Sequence, residues 1–238
     1  MAEQASAVTA SQTAAAPKPF RFSTSLVLQE STGLRAATLT TLAKLLRVVP
    51  DSCIYYHTHY FLLQHHYLTP EPTNDFGYWV KEVLGEEPLG ELLASIDVME
   101  HASLRSLREA LASTVERYLR QHPAARIKFV PAGQEFFFIK SVHVVMPTPC
   151  TASTLAEFAA GLRHVTIGSL YFHIFDARLR LGRSMNDFTL WLTEQLGLKE
   201  LGEHIAQLDP YSHNLETLRT ILLSFVKQEL DRRGPSEA

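Results

Sequence analysis

The sequence has few cysteines, no strong charge of either sign and no long apolar run. Its two cysteines, Cys53 and Cys150, are too few for a disulfide framework and favour a reducing compartment. The net charge of −3 provides no basic field for general nucleic-acid binding. No apolar run reaches the roughly 18 residues that cross a bilayer. We therefore expect a cytoplasmic protein that binds neither nucleic acid nor membrane.

The common catalytic signatures are also missing. The sequence contains no GxGxxG, no P-loop, no GxSxG and no HExxH. It therefore predicts no cofactor and names no catalytic residue. The first functional hypothesis is a non-enzymatic binding or regulatory protein whose partner, a protein or a small molecule, the sequence does not identify.

What the sequence does contain is an internal repeat. Shifted by about 116 positions, and by about 112 after a short insertion, the first half of the chain matches the second. The matched positions include an aromatic pair followed by histidine, an Asn-Asp-Phe run and a tryptophan, which are Tyr55-Tyr56-His57, Tyr171-Phe172-His173, Asn74-Asp75-Phe76, Asn186-Asp187-Phe188, Trp79 and Trp191. Ordered matches over the whole length predict a tandem duplication.

The repeat predicts five segments, which are a disordered tail (1–19), a first module (20–122), a linker (123–133), a second module (134–233) and a short tail (234–238). Each module opens with an aromatic, strand-like run (Phe20 to Leu28 and Glu135 to Val145) and continues in helical periodicity. The run from Ile127 to Val130 also resembles a strand. The predicted fold is therefore mainly α with a minor β element (α+β), its two homologous modules packed with approximate two-fold symmetry.

His57 and His173 are the strongest candidates for a ligand-binding site, because both modules keep them. Tyr55, Tyr171, Asn74, Asp75, Asn186 and Asp187 could join them. An aspartate that holds a histidine in one tautomer is a standard acid–base device, which would make the protein an enzyme or a small-ligand-binding protein. The alternative is structural, since Asn-Asp starts a helix and a buried histidine can bond to the backbone.

Arg47 and Arg163 also occupy matched positions. A guanidinium group can grip a carboxylate or phosphate, so these arginines are candidates for binding an anion or an acidic partner. A solvated salt bridge at a helix end is the alternative.

The segment 57–66 is rich in histidine, with His57, His59, His65 and His66. Neutral histidine is a common transition-metal ligand, and a metal-binding protein is the third hypothesis. No two of these histidines have the spacing of three or four that pairs ligands on a helix. We therefore assign no metal ligand and favour packed or hydrogen-bonded histidines.

The run from Ser169 to Arg180, together with Asn186-Asp187-Phe188 and Trp191, resembles a prokaryotic family known only as a domain of unknown function. The resemblance extends over nearly the whole chain after the N-terminal tail, and it implies no activity, cofactor or catalytic residue.

The paired modules further predict that the protein can form a homo-oligomer.

Overall fold

The computed structural model describes residues 15–61, 73–101, 103–177, 179, 185–208 and 214–234. Most of both predicted tails lies outside the described residues, as do His65 and His66. Ala16 and Lys18 are described. The backbone N–H of Ala16 donates to the carbonyl of Ser153 (2.7 Å), and the backbone N–H of Lys18 donates to Gln195 (3.2 Å).

The prediction of a mainly helical chain with a minor β element is confirmed. Two long strands form an antiparallel pair. They are β1 (Phe20–Ala36) and β2 (Phe136–Ala152). The α-helices are α1 (Leu39–Val48), α2 (Asp51–Tyr55), α3 (Asp75–Tyr78), α4 (Glu87–Ala94), α5 (Leu104–Gln121), α6 (Leu155–His164), α7 (Ile167–Tyr171), α8 (Asp187–Leu196), α9 (Lys199–Ala206) and α10 (Leu215–Arg233). Wider π-helical turns extend α2, α3 and α7, at Tyr56–Tyr60, Trp79–Val83 and Phe172–Asp176. Short 3₁₀ turns span Val98–Glu100 and Pro123–Arg126.

Both strands run further than the sequence predicts. The hydroxyl of Thr32 donates to the carbonyl of Phe138 (2.7 Å), and the hydroxyl of Thr148 donates to the carbonyl of Phe22 (2.8 Å). These two contacts fix one antiparallel register, in which the end of each strand lies beside the start of the other. Hydrogen bonding between β1 and β2 therefore keeps both chains extended beyond the aromatic runs from which the strands are predicted.

The chain forms two compact units. Unit 1 takes in the described residues up to Ser25 and from Val145 onward, and unit 2 takes in Leu26–Val144. The aromatic start of β1 therefore belongs to unit 1, with most of the predicted second module. The aromatic start of β2 belongs to unit 2, with most of the predicted first module. The units thus differ in their bounds from the predicted modules, and the two-fold relation between the modules stays a prediction.

Phe136 and Phe138 of β2 anchor the core of unit 2. Phe136 stacks on Phe76 of α3, with ring centroids 4.9 Å apart, and packs edge-on against Trp79 at 5.9 Å. Phe138 and Phe76 are fully buried. Burial of aromatic rings is the main source of stability at such a site, and the edge and offset arrangements add to it.

Phe20 and Phe22 of β1 have the corresponding place in the core of unit 1. Phe22 stacks on Phe158 of α6 at 5.6 Å, and Phe20 packs against Phe188 of α8 at 5.4 Å. A methyl group added at Gly161 of α6 would lie 2.4 Å from the Phe22 ring. The absence of a side chain at Gly161 is therefore what lets β1 approach α6 so closely.

Helix boundaries follow the sequence signals. Asn74 caps α3 and accepts from the backbone N–H of Gly77 (2.9 Å), and Asn186 caps α8 and accepts from Thr189 (2.8 Å). Gly197 ends α8 in the left-handed conformation (φ 69°), which glycine adopts without strain.

The predicted strand at Ile127–Val130 is wrong. This segment follows the 3₁₀ turn Pro123–Arg126 as irregular chain and pairs with no described strand.

None of the described helices is both long enough and apolar enough to pass through a bilayer.

Candidate functional site

His57 lies in the π-helical turn that follows α2, in the core of unit 2. Its Nδ1 is 2.7 Å from Oδ2 of Asp75, at the start of α3. Its Nε2 accepts the backbone N–H of Ile139 on β2 (3.0 Å). The ring is almost fully buried and lies between Phe76 and Phe136, with centroids at 5.4 and 4.7 Å.

His173 makes the same kinds of contact in unit 1. Its Nδ1 is 2.7 Å from Oδ2 of Asp187, at the start of α8, and its Nε2 accepts the backbone N–H of Ser23 on β1 (2.8 Å). The carbonyl of Ser23 accepts from the hydroxyl of Ser169 (2.7 Å). The backbone N–H and the backbone carbonyl of Ser23 are therefore both hydrogen-bonded to side chains. The ring also packs edge-on against Phe20, at 4.9 Å.

These contacts define the tautomer of each imidazole. A nitrogen that accepts a backbone N–H must carry a lone pair, so the ring proton sits on Nδ1 and is donated to the aspartate. A second proton on Nε2 would point at the amide hydrogen. To act as a general base, either histidine would first have to release its strand. The arrangement is therefore suited to anchoring a strand.

A groove of about 440 Å³ lies beside His173 and Asp187 in unit 1. Lys18 and Arg21 line it with positive charge, and Glu194 lines it with negative charge. The groove is open and has room for a small ligand. Its charged rim comes from Lys18 just before β1, from Arg21 at the start of β1 and from Glu194 on α8.

The remaining predicted site residues lie around these pairs. Asn74 is fully buried, and its Nδ2 donates to the carbonyl of Leu93 (3.0 Å) while its Oδ1 caps α3. Tyr55 stacks on His59, with centroids 5.5 Å apart, and Tyr171 packs on Phe175 at 5.1 Å. The structure thus brings each histidine together with its aspartate. The asparagines bond to the backbone at helix ends, and the tyrosines pack on neighbouring rings.

Arg47 belongs to a different cluster, on the surface of unit 2. Its Nε donates to Glu116 of α5 (2.9 Å), and a second nitrogen bonds to Glu109. These two bonds, with Glu116 the larger influence, raise the pKa of Arg47. Arg163 is exposed near the end of α6.

His59 is the other histidine of the 57–66 segment that the structure describes. It is buried, and this burial, aided by the nearby charge of His101, lowers its pKa to about 3. Its Nδ1 lies 3.1 Å from the hydroxyl of Thr58. Within the described residues, no three His, Cys, Asp or Glu side chains converge as metal ligands would.

Sequence reasoning missed one matched pair of structural arginines. Arg108 of α5 donates to the carbonyl of Leu46 at the end of α1 (2.8 Å) and to Asp51 (2.6 Å). Arg219 of α10 donates to the carbonyls of Leu162 and Val165 (2.6 and 2.7 Å). The repeat aligns these two arginines. A charged side chain at the same place in the apolar stripe of both helices was the sequence feature that could have indicated their structural role.

The structure thus defines a mainly helical protein with an antiparallel strand pair and a His–Asp pair anchoring each strand start. The chain belongs to a family of unknown function, DUF5752, whose model matches residues 17–227. It is similar to a solved structure described as the structure of OrfY from Thermoproteus tenax. The two share 30% sequence identity with a TM-score of 0.77, over 90% of this chain and 96% of that one. No curated protein matches the chain.

Proposed function

We propose that the protein is a non-enzymatic binding or regulatory protein. One observation carries this proposal. The constellation that most resembles acid–base machinery, a buried histidine beside an aspartate, uses both ring nitrogens to hold the protein together. A histidine that serves as a general base needs a nitrogen directed at the proton it removes.

The alternative is a small-ligand protein or enzyme, and the groove beside His173 favours it. Its rim combines Lys18 and Arg21 with Glu194, which could hold a zwitterionic molecule. In that case Asp187, part of whose side chain is exposed, would face the ligand. We place this alternative second because His173 itself is directed at Ser23.

We also propose that the two predicted modules arose by duplication, that the protein works in the cytoplasm and that it can self-associate. The matched contacts of His57 and His173, each with an aspartate on one nitrogen and a strand amide on the other, support the duplication.

The test separates catalysis from binding. Purified protein is incubated with a metabolite extract, and untargeted mass spectrometry follows every compound with time. The variants are His57→Gln and His173→Gln, with His164→Gln, at an exposed site at the end of α6, as the matched control. We expect no compound to be converted in a manner that depends on His57 or His173, and we expect both variants to be less stable than the control.

A compound converted by the wild type and by His164→Gln, but not by His173→Gln at a temperature where that variant is folded, would overturn the proposal. Binding without conversion at the groove of unit 1, lost on Arg21→Gln, would instead support the small-ligand alternative.

A further inference from the structure

We propose that unit 2 binds an acidic segment of another protein that also carries apolar side chains. This inference rests on the proposed binding function and names its surface and partner class. The surface is a groove between α1 and α5, here called the basic groove, whose charged lining is Lys44, Arg47, Arg120 and Arg126 with Glu116. An exposed apolar segment, Ile127–Phe129, follows it directly along the chain.

The basic groove has a volume of about 620 Å³ and an excess of positive charge. Arg47 is held in place by Glu116 and Glu109. Lys44, Arg120 and Arg126 make no ion pair with any carboxylate in the described part of the chain. Arg120 acts on Glu116 only at longer range. Three cations that form no ion pair among the described residues surround an open groove, and this favours a ligand that carries several negative charges.

Exposed apolar side chains lie in the basic groove, at Val48, and directly after Arg126 along the chain, at Ile127 and Phe129. Val48 is 70% exposed, Ile127 is 81% exposed and Phe129 is 74% exposed. Large apolar groups on a charged surface are typical of a binding site when they lie close together. They would contact the apolar residues of the partner while the cations bind its carboxylates.

The exposed segment is anchored at its middle residue and at the residue that follows it. Nζ of Lys128 pairs with Glu86 (2.7 Å), and Glu86 also accepts from the hydroxyl of Tyr118 on α5. The backbone N–H of Val130 donates to the carbonyl of Ala37 (3.0 Å), and Val130 is buried. Because its neighbours are fixed, Ile127 and Phe129 are presented to solvent by a held backbone, which reduces the ordering cost of binding.

Charge decides among the occupants of the basic groove. A second copy docked by two-fold symmetry would place like charges against each other, which is unfavourable. A nucleic acid or an anionic membrane needs a broad basic field, which a net charge of −3 does not provide, and a nucleic acid has no aliphatic side chains for Ile127 and Phe129 to contact. An acidic peptide can place its carboxylates on Lys44 and Arg120 and its apolar residues on Ile127 and Phe129.

The experiment selects peptides from a random display library on the immobilised full-length protein, and measures the affinity of synthesised winners by fluorescence anisotropy. The groove variant combines Lys44→Glu with Arg120→Glu, and the apolar variant combines Ile127→Ser with Phe129→Ser. The matched control is Arg117→Glu, an exposed arginine of α5 outside the groove lining. Thermal unfolding confirms that all variants are folded.

We expect the winners to be acidic and to contain aromatic or aliphatic residues. Both double variants should weaken their binding about tenfold or more, while Arg117→Glu should change it little. Added salt should weaken binding, because the charge pairs are exposed.

The inference is overturned by winners without an acidic bias, by affinities that the groove variant leaves unchanged, or by a library that yields no winner. Binding of the wild type to phosphatidylserine vesicles or to a single-stranded oligonucleotide as tightly as to the peptides would also overturn it. These outcomes leave the proposed function standing, because that proposal is tested separately, by the conversion of metabolites and by ligand binding in the groove of unit 1.

Discussion

Nε2 of His173 accepts the backbone N–H of Ser23 at 2.8 Å, and this hydrogen bond fixes the start of β1 within unit 1. Asp187 holds the other side of the ring and thereby sets which nitrogen is the acceptor. His57, Asp75 and Ile139 do the same for β2 in unit 2. A buried histidine thus substitutes for a neighbouring strand as the bonding partner of a backbone amide.

The first prediction concerns these anchors. His57→Gln and His173→Gln should each lower the free energy of unfolding by about 2 kcal/mol or more, because glutamine cannot satisfy the aspartate and the strand amide together in a buried site. Denaturant unfolding followed by circular dichroism measures the change. Asp75→Asn should have a smaller effect, since an amide oxygen can still accept from Nδ1. Loss of less than about 0.5 kcal/mol in both histidine variants, the range of ordinary surface substitutions, would show that the anchors are unimportant.

The second prediction concerns Gly161. Replacing a helical glycine by alanine normally favours the helix by about 1 kcal/mol. Gly161→Ala should have the opposite effect, because the new methyl group would lie 2.4 Å from Cε2 of Phe22. Thermal unfolding of the variant should show a lower Tm, and Phe22→Leu in the same chain should recover part of the loss. A raised Tm for Gly161→Ala alone would contradict the close approach of β1 to α6.

The third prediction concerns pH and His59. The pKa of His59 is about 3 in the fold, mainly because of burial, whereas an unperturbed histidine has a pKa of about 6.5. Unfolding below pH 6.5 therefore takes up a proton, so this stabilising contribution is complete above pH 6.5 and is lost as the pH falls toward 3. The wild type should lose stability by up to about 1.4 kcal/mol per pH unit more than His59→Phe in that window.

The measurement is urea unfolding of both proteins between pH 7 and pH 4. Phenylalanine is a suitable replacement because Phe175, 116 positions further along the chain, contacts Tyr171 in unit 1 (5.1 Å) as His59 contacts Tyr55 (5.5 Å), although the first pair is tilted and the second is stacked. Parallel pH profiles for the two proteins would show that His59 takes up no proton on unfolding.

The fourth prediction concerns Arg108. Arg108→Gln should cost about 2 kcal/mol, because it removes a charged hydrogen bond and leaves the buried carbonyl of Leu46 without its donor. Arg105→Gln, at an exposed position of the same helix, is the control and should change stability little. Chemical unfolding measures the free energy of unfolding of both variants. Equal losses of stability in the two would contradict a role of Arg108 in capping α1.

Much of the fold follows from local signals in the sequence. Asn74 and Asn186 begin helices because their side chains accept from free backbone N–H groups, and Gly197 ends one because it tolerates positive φ. Periodic apolar residues identify α5 and α10. These features depend on neighbours within a few residues, and local patterns express them.

The aromatic start of β1 packs with most of the predicted second module, and that of β2 packs with most of the predicted first module. This arrangement is not a local property of the sequence. Phe20 packs near Phe188 and Phe136 packs near Phe76, and nothing in a local pattern specifies which half each aromatic run contacts. The candidate site shows the same limit. The repeat identifies His57 and Asp75, but only the structure shows that Ile139 uses the remaining ring nitrogen.

The most direct measurement of the central claim is a long-range ¹H–¹⁵N correlation spectrum of the histidine side chains at neutral pH. Assignment by His57→Gln and His173→Gln should identify two rings that are protonated at Nδ1, unprotonated at Nε2 and in slow proton exchange with water. Rings that interconvert between tautomers, or that carry the proton on Nε2, would contradict the claim that both nitrogens are committed to the fold.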